Sequence, residues 1–181
     1  MKSIVISIGG SVLIADDVNA SYLKNLSKIL KKYSKKYKIY LVVGGGKTAR
    51  RYIKLGRELG LNEKNLDEIG IETTRLNANF LSRIIKDSNK KIPNTTDEAK
   101  NLDNSIVVMA GTIPGHSTDL VGAELAFKTK AEKYIIATNV DGIYDKDPNK
   151  FKDAKKIKEI KIEELIEKYG TKWNKAGKNM V

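Results

Sequence analysis

Four times along the chain an apolar run ends in glycine or small polar residues, and this repetition constrains the fold more than any other feature. "SIVISI" runs into "GGS" at Gly9 to Ser11, and "IYLVV" runs into "GGG" at Gly44 to Gly46. "SIVVMA" runs into "GTIPGHSTD" at Gly111 to Asp119, and "YIIAT" runs into a loop from Asn139 to Asp147. A continuous run such as "IYLVV" predicts a strand buried on both faces. Helical patterns between the runs predict crossovers, so the chain is expected to be α/β with a mostly parallel central sheet. Parallel strands place their carboxyl ends at one edge, where ligands bind in open α/β sheets. The four loops together therefore predict one composite site.

The intervening helices are visible in the spacing. "SYLKNLSKILKKY" sets Leu23, Leu26, Leu30 and Tyr33 on one face. "KTARRYIKLGRELG" closes on Gly60, a long pattern spans Leu66 to Ile85, and "LVGAELAFKTK" precedes the last apolar run. The polar connection "KDSNKKIPNTTDEAKN" allows either short strands or a lid. With 181 residues and 40% hydrophobic content, one compact domain with a sizeable core is expected.

Composition narrows the chemistry. The chain has no cysteine, which excludes disulfides, thiolate metal sites and thiol nucleophiles and points to a cytoplasmic location. The opening run "IVISI" is too short for a signal peptide or a membrane span. A net charge of +12 raises a nucleic-acid reading. The densest run, "KKYSKKYK" at Lys31 to Lys38, is expected at the end of a helix, where cations suit the dipole, and it has too few aromatics to stack bases. Nucleic acid is therefore not expected as a partner, and a small acidic substrate suits the charge equally well.

"VVGGGKTAR" at Val42 to Arg50 imitates two phosphate motifs. A Walker loop would need glycine where Leu41 stands inside the apolar run. Gly44, Gly46 and Ala49 fit G-x-G-x-x-A, with Asp67 at a suitable distance for a ribose contact, but that reading leaves the other three loops unexplained. His116 is the only histidine, so a histidine metal cluster is excluded.

Taken in order, "IGGS", "VVGGGKTAR", "DEIGIETTRLNANFL", "GTIPGHSTD" and "TNVDGIYDKDP" resemble the amino acid kinase family, and within it the uridylate (UMP) kinases of archaeal type. The resemblance runs from Ile4 to about Met180 and implies the three-layer αβα sandwich of that family. It also implies transfer of the γ-phosphoryl of ATP, with Mg2+, to the phosphate of UMP, giving UDP and ADP in pyrimidine nucleotide biosynthesis. Relatives form homohexamers, which is the assembly the resemblance implies.

Family motifs carried onto this sequence place Gly10, Ser11, Gly46 and Arg50 around the ATP phosphates and Gly45 on the UMP side. Arg50 offers a planar fork for phosphate oxygens. Asp67 would accept from the UMP ribose, and Thr112, Ile113, Pro114, Gly115, His116, Ser117 and Thr118 would wrap uracil and phosphate. Asp119 would organise cations at the reaction centre, and Thr138, Tyr144 and Asp147 would hold ATP. No direct metal ligand is assigned. Each feature also has an ordinary structural reading: turn glycines, a surface arginine, a helix N-terminal acid, a hydroxyl cap and a polar turn.

Two departures stand out. Many relatives carry lysine in the first strand, as K-x-G-G, where this chain has Ser7, and Lys47 is a candidate substitute. The sequence stops at "NKAGKNMV", where the family normally continues through another helix and closing strands, so a domain lacking those elements is expected. The alternatives are another small-molecule kinase of the family, or a non-catalytic nucleotide-binding protein of the same fold.

Overall fold

The computed structural model describes residues 1–14 and 20–169; the closing "NKAGKNMV" lies outside them. The elements are β1 (Lys2–Ile8), α1 (Gly10–Leu13), α2 (Ala20–Tyr33), β2 (Tyr37–Val43), α3 (Gly46–Glu58), α4 (Glu63–Ile84), α5 (Thr96–Lys100), β3 (Ile106–Met109), α6 (Thr118–Lys128), β4 (Lys133–Ala137), β5 (Ile143–Tyr144), β6 (Lys156–Ile157) and α7 (Ile162–Tyr169).

Four strands form one parallel sheet in the order β3-β2-β1-β4. The chain moves outward from β1 through β2 to β3, then crosses back to lay β4 on the far side of β1. Strand order thus reverses beside β1, which places the ligand crevice of an open α/β sheet at its carboxyl edge there. Ile39, Leu41, Val42 and Val43 are fully buried, as expected of a central strand covered on both faces.

Two apolar layers flank the sheet. On one face Leu13, Leu23, Leu30, Ala78, Leu81 and Ile85 of the helices pack on Ile39, Leu41, Val43 and Val108. On the other, Ala99, Val121 and Leu125 pack on Val5, Tyr40, Val42 and Met109. This is the expected αβα sandwich with a mostly parallel sheet. Helix α3 packs outside it, through Ala49 and Ile53 against Leu66 of α4.

Some local expectations change. Tyr33 does not join the buried face of α2: it is 46% exposed, while Leu23 and Leu30 are buried. The basic run does not end a single helix, because Tyr37 and Lys38 already belong to β2, and Lys38 donates to the Leu102 carbonyl. The polar connection resolves into α5 and a bridge between Ser88 and Ile106. The loop after β4 contains a short antiparallel hairpin, Ile143 opposite Ile157 and Tyr144 opposite Lys156.

Candidate active site

The first two glycine loops touch backbone to backbone. A Cβ on Gly10 would lie 2.4 Å from both the Gly44 carbonyl oxygen and the Gly46 nitrogen, so nothing larger fits. Gly46 has φ +66°, a left-handed conformation that glycine adopts without strain, and a Cβ there would stand 2.5 Å from the Gly10 carbonyl carbon. Gly44 N–H donates to the Ile8 carbonyl and Gly9 N–H to the Ala137 carbonyl, both at 2.9 Å. The loops after β1, β2 and β4 are thereby tied across the carboxyl edge.

Helix capping separates these loops from the rest. The side chains of Asn62, Thr95 and Ser117 accept from backbone N–H groups at the starts of α4, α5 and α6. Helices α1 and α3 begin on Gly9 and Gly45, with no side-chain cap. The first N–H groups of a helix need acceptors from outside it, and two adjacent N-termini left to external acceptors form a natural seat for phosphate oxygens.

Helix α4 holds the other side. Asn77, 6% exposed, donates through Nδ2 to the Gly44 carbonyl at 2.9 Å and the Gly45 carbonyl at 3.3 Å. Thr74 Oγ1 accepts from Gly111 N–H at 2.9 Å, and Asp67 Oδ2 accepts from Gly115 N–H at 2.7 Å. Gly115 has φ +88°, so its turn also favours glycine. Asp67, Thr74 and Asn77 are spaced by seven and three residues, which sets them on one helical face.

The loop after β3 leads into α6. Ser117 caps that helix by accepting from Leu120 N–H, with Thr118 and Asp119 in its first turn. Asp119 is exposed, and its Oδ1 accepts from the Ser7 hydroxyl at 2.6 Å. Thr112 is half-buried, while Ile113, Pro114 and His116 are exposed toward solvent. His116 lies near Glu124, whose carboxyl is held below its usual range chiefly by hydrogen bonds from Lys128 and Thr96.

The carboxyl edge of the sheet and these contacts bring together the surroundings of Gly10, Ser11, Gly44 to Gly46, Asp67, Thr112 to Thr118 and Asp119. Arg50 is exposed in α3, one turn beyond Gly46. Tyr144 and Asp147 are arranged differently. The Tyr144 hydroxyl donates to Asp141 at 2.6 Å, and Asp147 accepts from Asn149 N–H at 2.9 Å. Thr138 bonds its neighbour Asn139. The polar contacts described for these three stay within the segment after β4.

The family model described as "Amino acid kinase family" matches residues 2–179. The chain belongs to the amino acid kinase family. Among relatives of that family, it is 50% identical to a "Uridylate kinase" from Thermoplasma volcanium, over 91% of this chain and 73% of that protein. It is 45% identical to a "Uridylate kinase" from Methanocaldococcus jannaschii, over 98% of this chain and 81% of that protein. The crystal structure of uridylate kinase from Archaeoglobus fulgidus superposes with TM-score 0.82 at 42% identity, covering 91% of this chain and 77% of that one.

Asn77, Thr74 and Tyr134 were not singled out by the sequence. The first two sit in the quoted α4 block, and their polar character at helical spacing was the one available signal. Tyr134 donates to the Asp119 backbone carbonyl at 2.8 Å.

Proposed function

We propose that this chain is a uridylate kinase, transferring the γ-phosphoryl of ATP to UMP to give UDP and ADP, and that residues 1–181 form a single nucleoside monophosphate kinase domain. One observation carries the site assignment: the loop Gly111 to Asp119 is latched to α4 at Gly111 and Gly115, directly beside two uncapped glycine-started helices. Two polyanions must be held in line, and backbone donors do this without bulk between them.

In this reading Gly10, Ser11, Gly46 and Arg50 receive the ATP phosphates, and Gly45 faces UMP. Asp67 keeps Gly115 in place with one carboxylate oxygen and accepts from a ribose hydroxyl with the other. Thr112 to Thr118 enclose the acceptor, whose phosphate is already ionised, so no general base is needed and His116 serves as a loop contact. Thr138, Tyr144 and Asp147 hold the donor nucleoside.

Among the described residues no cluster of three or more acidic or histidine side chains could cage a metal. That donor set fits magnesium entering on the triphosphate, with the exposed Asp119 carboxylate as the protein group beside it. Bound with ATP, magnesium neutralises charge on the β- and γ-phosphate oxygens. We extend the proposal to a homohexamer working in the cytoplasm; no described helix is long and apolar enough to cross a membrane.

A coupled assay for ADP release, with UMP, CMP and acetylglutamate as competing acceptors, tests the reading. Release with UMP, abolished by EDTA, is expected. Release with CMP or acetylglutamate alone would replace the acceptor, and no release with any would favour a non-catalytic nucleotide binder.

A further inference from the structure

Strand β1 presents Ser3, Val5 and Ser7 to α6, all buried, while Ile4, Ile6 and Ile8 turn to the opposite layer. Val5 packs against Val121 and Leu125, as an apolar strand position under a helix should. The two serines bracket it. Ser3 Oγ donates to the Thr129 carbonyl at 3.2 Å, at the C-terminal end of α6, and Ser7 Oγ donates to Asp119 Oδ1 at 2.6 Å, in its first turn. Four strand residues span about 13 Å, and the ten helical steps from Asp119 to Thr129 span about 15 Å. The helix is thus pinned at both ends by one strand.

A third group converges on Asp119. Tyr134 of β4 donates to its backbone carbonyl, and the Tyr134 ring lies so close to α6 that a Cβ on Gly122 would stand 2.7 to 2.9 Å from its hydroxyl and ring carbons. Gly122 therefore makes room for the ring. Burial, and then the Asp119 charge, hold the Tyr134 hydroxyl well above its usual range, while the Ser7 hydroxyl works in the opposite direction. Tyr134 accordingly remains a donor at neutral pH.

We infer that Ser7 is a positioning residue for the reaction: it fixes the rotamer of Asp119 while Tyr134 holds the backbone of that residue, so that the carboxylate meets the reacting phosphates in one orientation. This rests on the uridylate kinase reading for what Asp119 does, but not for how it is held. Ser7 is 1% exposed and does not face the reacting groups, so it acts on the reaction through Asp119, which it bonds directly. At the strand position where many members of the family place a cation, this chain spends a neutral hydroxyl on aiming an anion.

The test uses the full chain with Ser7→Ala, Ser7→Thr, Tyr134→Phe and the control Ser3→Ala. Ser7→Ala is expected to lower kcat about tenfold or more, since it removes a hydrogen bond to a charged group, with KM for UMP and ATP within about twofold. Ser7→Thr should restore most of kcat, and Tyr134→Phe should lower it less. Ser3→Ala removes the equivalent bond at the far end of α6 and should lower Tm while leaving kcat unchanged. A merely structural role for Ser7 predicts the Ser3→Ala pattern, and parental kcat in Ser7→Ala would overturn the inference.

A crystal structure of Ser7→Ala separates this from the functional reading. A changed Asp119 rotamer supports the inference even if the parent protein proves inactive on UMP; an unchanged rotamer overturns it even if UMP is the acceptor.

Discussion

The two sides of the proposed site, acceptor and donor, are held together by different physics. On the acceptor side, the loops around Gly44, Gly111 and Gly115 hang from Asp67, Thr74 and Asn77 of α4, and Thr74 and Asn77 are buried. On the donor side, the segment from Thr138 to Ile157 is held by exposed pairs: Asp141 with Lys156 at 2.8 Å, Asp153 with Lys146 at 2.6 Å and Asp147 with Lys150 at 3.7 Å. Buried bonds to backbone N–H and carbonyl groups persist in salt because breaking them strands a polar group. Exposed ion pairs are screened and contribute little. On the proposed assignment, the acceptor half is held by buried and half-buried bonds and the donor half by exposed, salt-sensitive pairs.

The sharpest way to break this contrast is Gly46→Ala. A methyl group would meet Gly10 at 2.5 Å and impose strain at φ +66°, displacing both loops. Turnover should fall about a hundredfold, read as ADP release, because displacements near 1 Å have that effect.

Asp67→Asn separates two roles of one side chain, since an amide oxygen can still accept from Gly115 N–H. KM for UMP should rise about tenfold from loss of the charged bond to ribose, with the loop retained. Asp67→Ala should cost more, and equal effects of the two variants would show that the bond to Gly115 N–H adds nothing beyond the charge. Asn77→Ala strands two carbonyls and should destabilise by about 2 kcal/mol, lowering Tm by about 5 °C in a scan.

The smallest effects belong to the donor side. The Lys156 ammonium and then the Tyr144 hydroxyl hold the Asp141 carboxyl below its ordinary value of 3.8, so their contribution is complete above that pH and is lost as pH falls through the lowered value. Amide protection in the β5–β6 hairpin should therefore drop in acid and in about 1 M salt, while protection of Gly111 N–H stays constant in salt. Equal salt responses in both regions would end the contrast.

What the sequence disclosed divides along the same line. The sheet was legible because apolar runs and following glycines are local patterns, and the acceptor and glycine loops followed from where those runs end. The bonds of Asn77 to Gly44 and of Thr74 to Gly111 span 33 and 37 residues, and no local pattern encodes such pairs. Tyr134 was hidden for a related reason: its partner Gly122 matters through the side chain it lacks. Tyr33 misled because helical spacing extends to the last turn, whereas the packed layer stops short of it.

The placement of three latches on one helix has a mechanical consequence. A slip of α4 along the sheet by one residue would shift Asp67, Thr74 and Asn77 together by about 1.5 Å, beyond what their hydrogen bonds tolerate. Acceptor geometry is thus a readout of helix register: with α4 seated, all three contacts close, and with α4 displaced, none does. A displacement of α4 would therefore open all three contacts together, and acceptor recognition would be lost in one step.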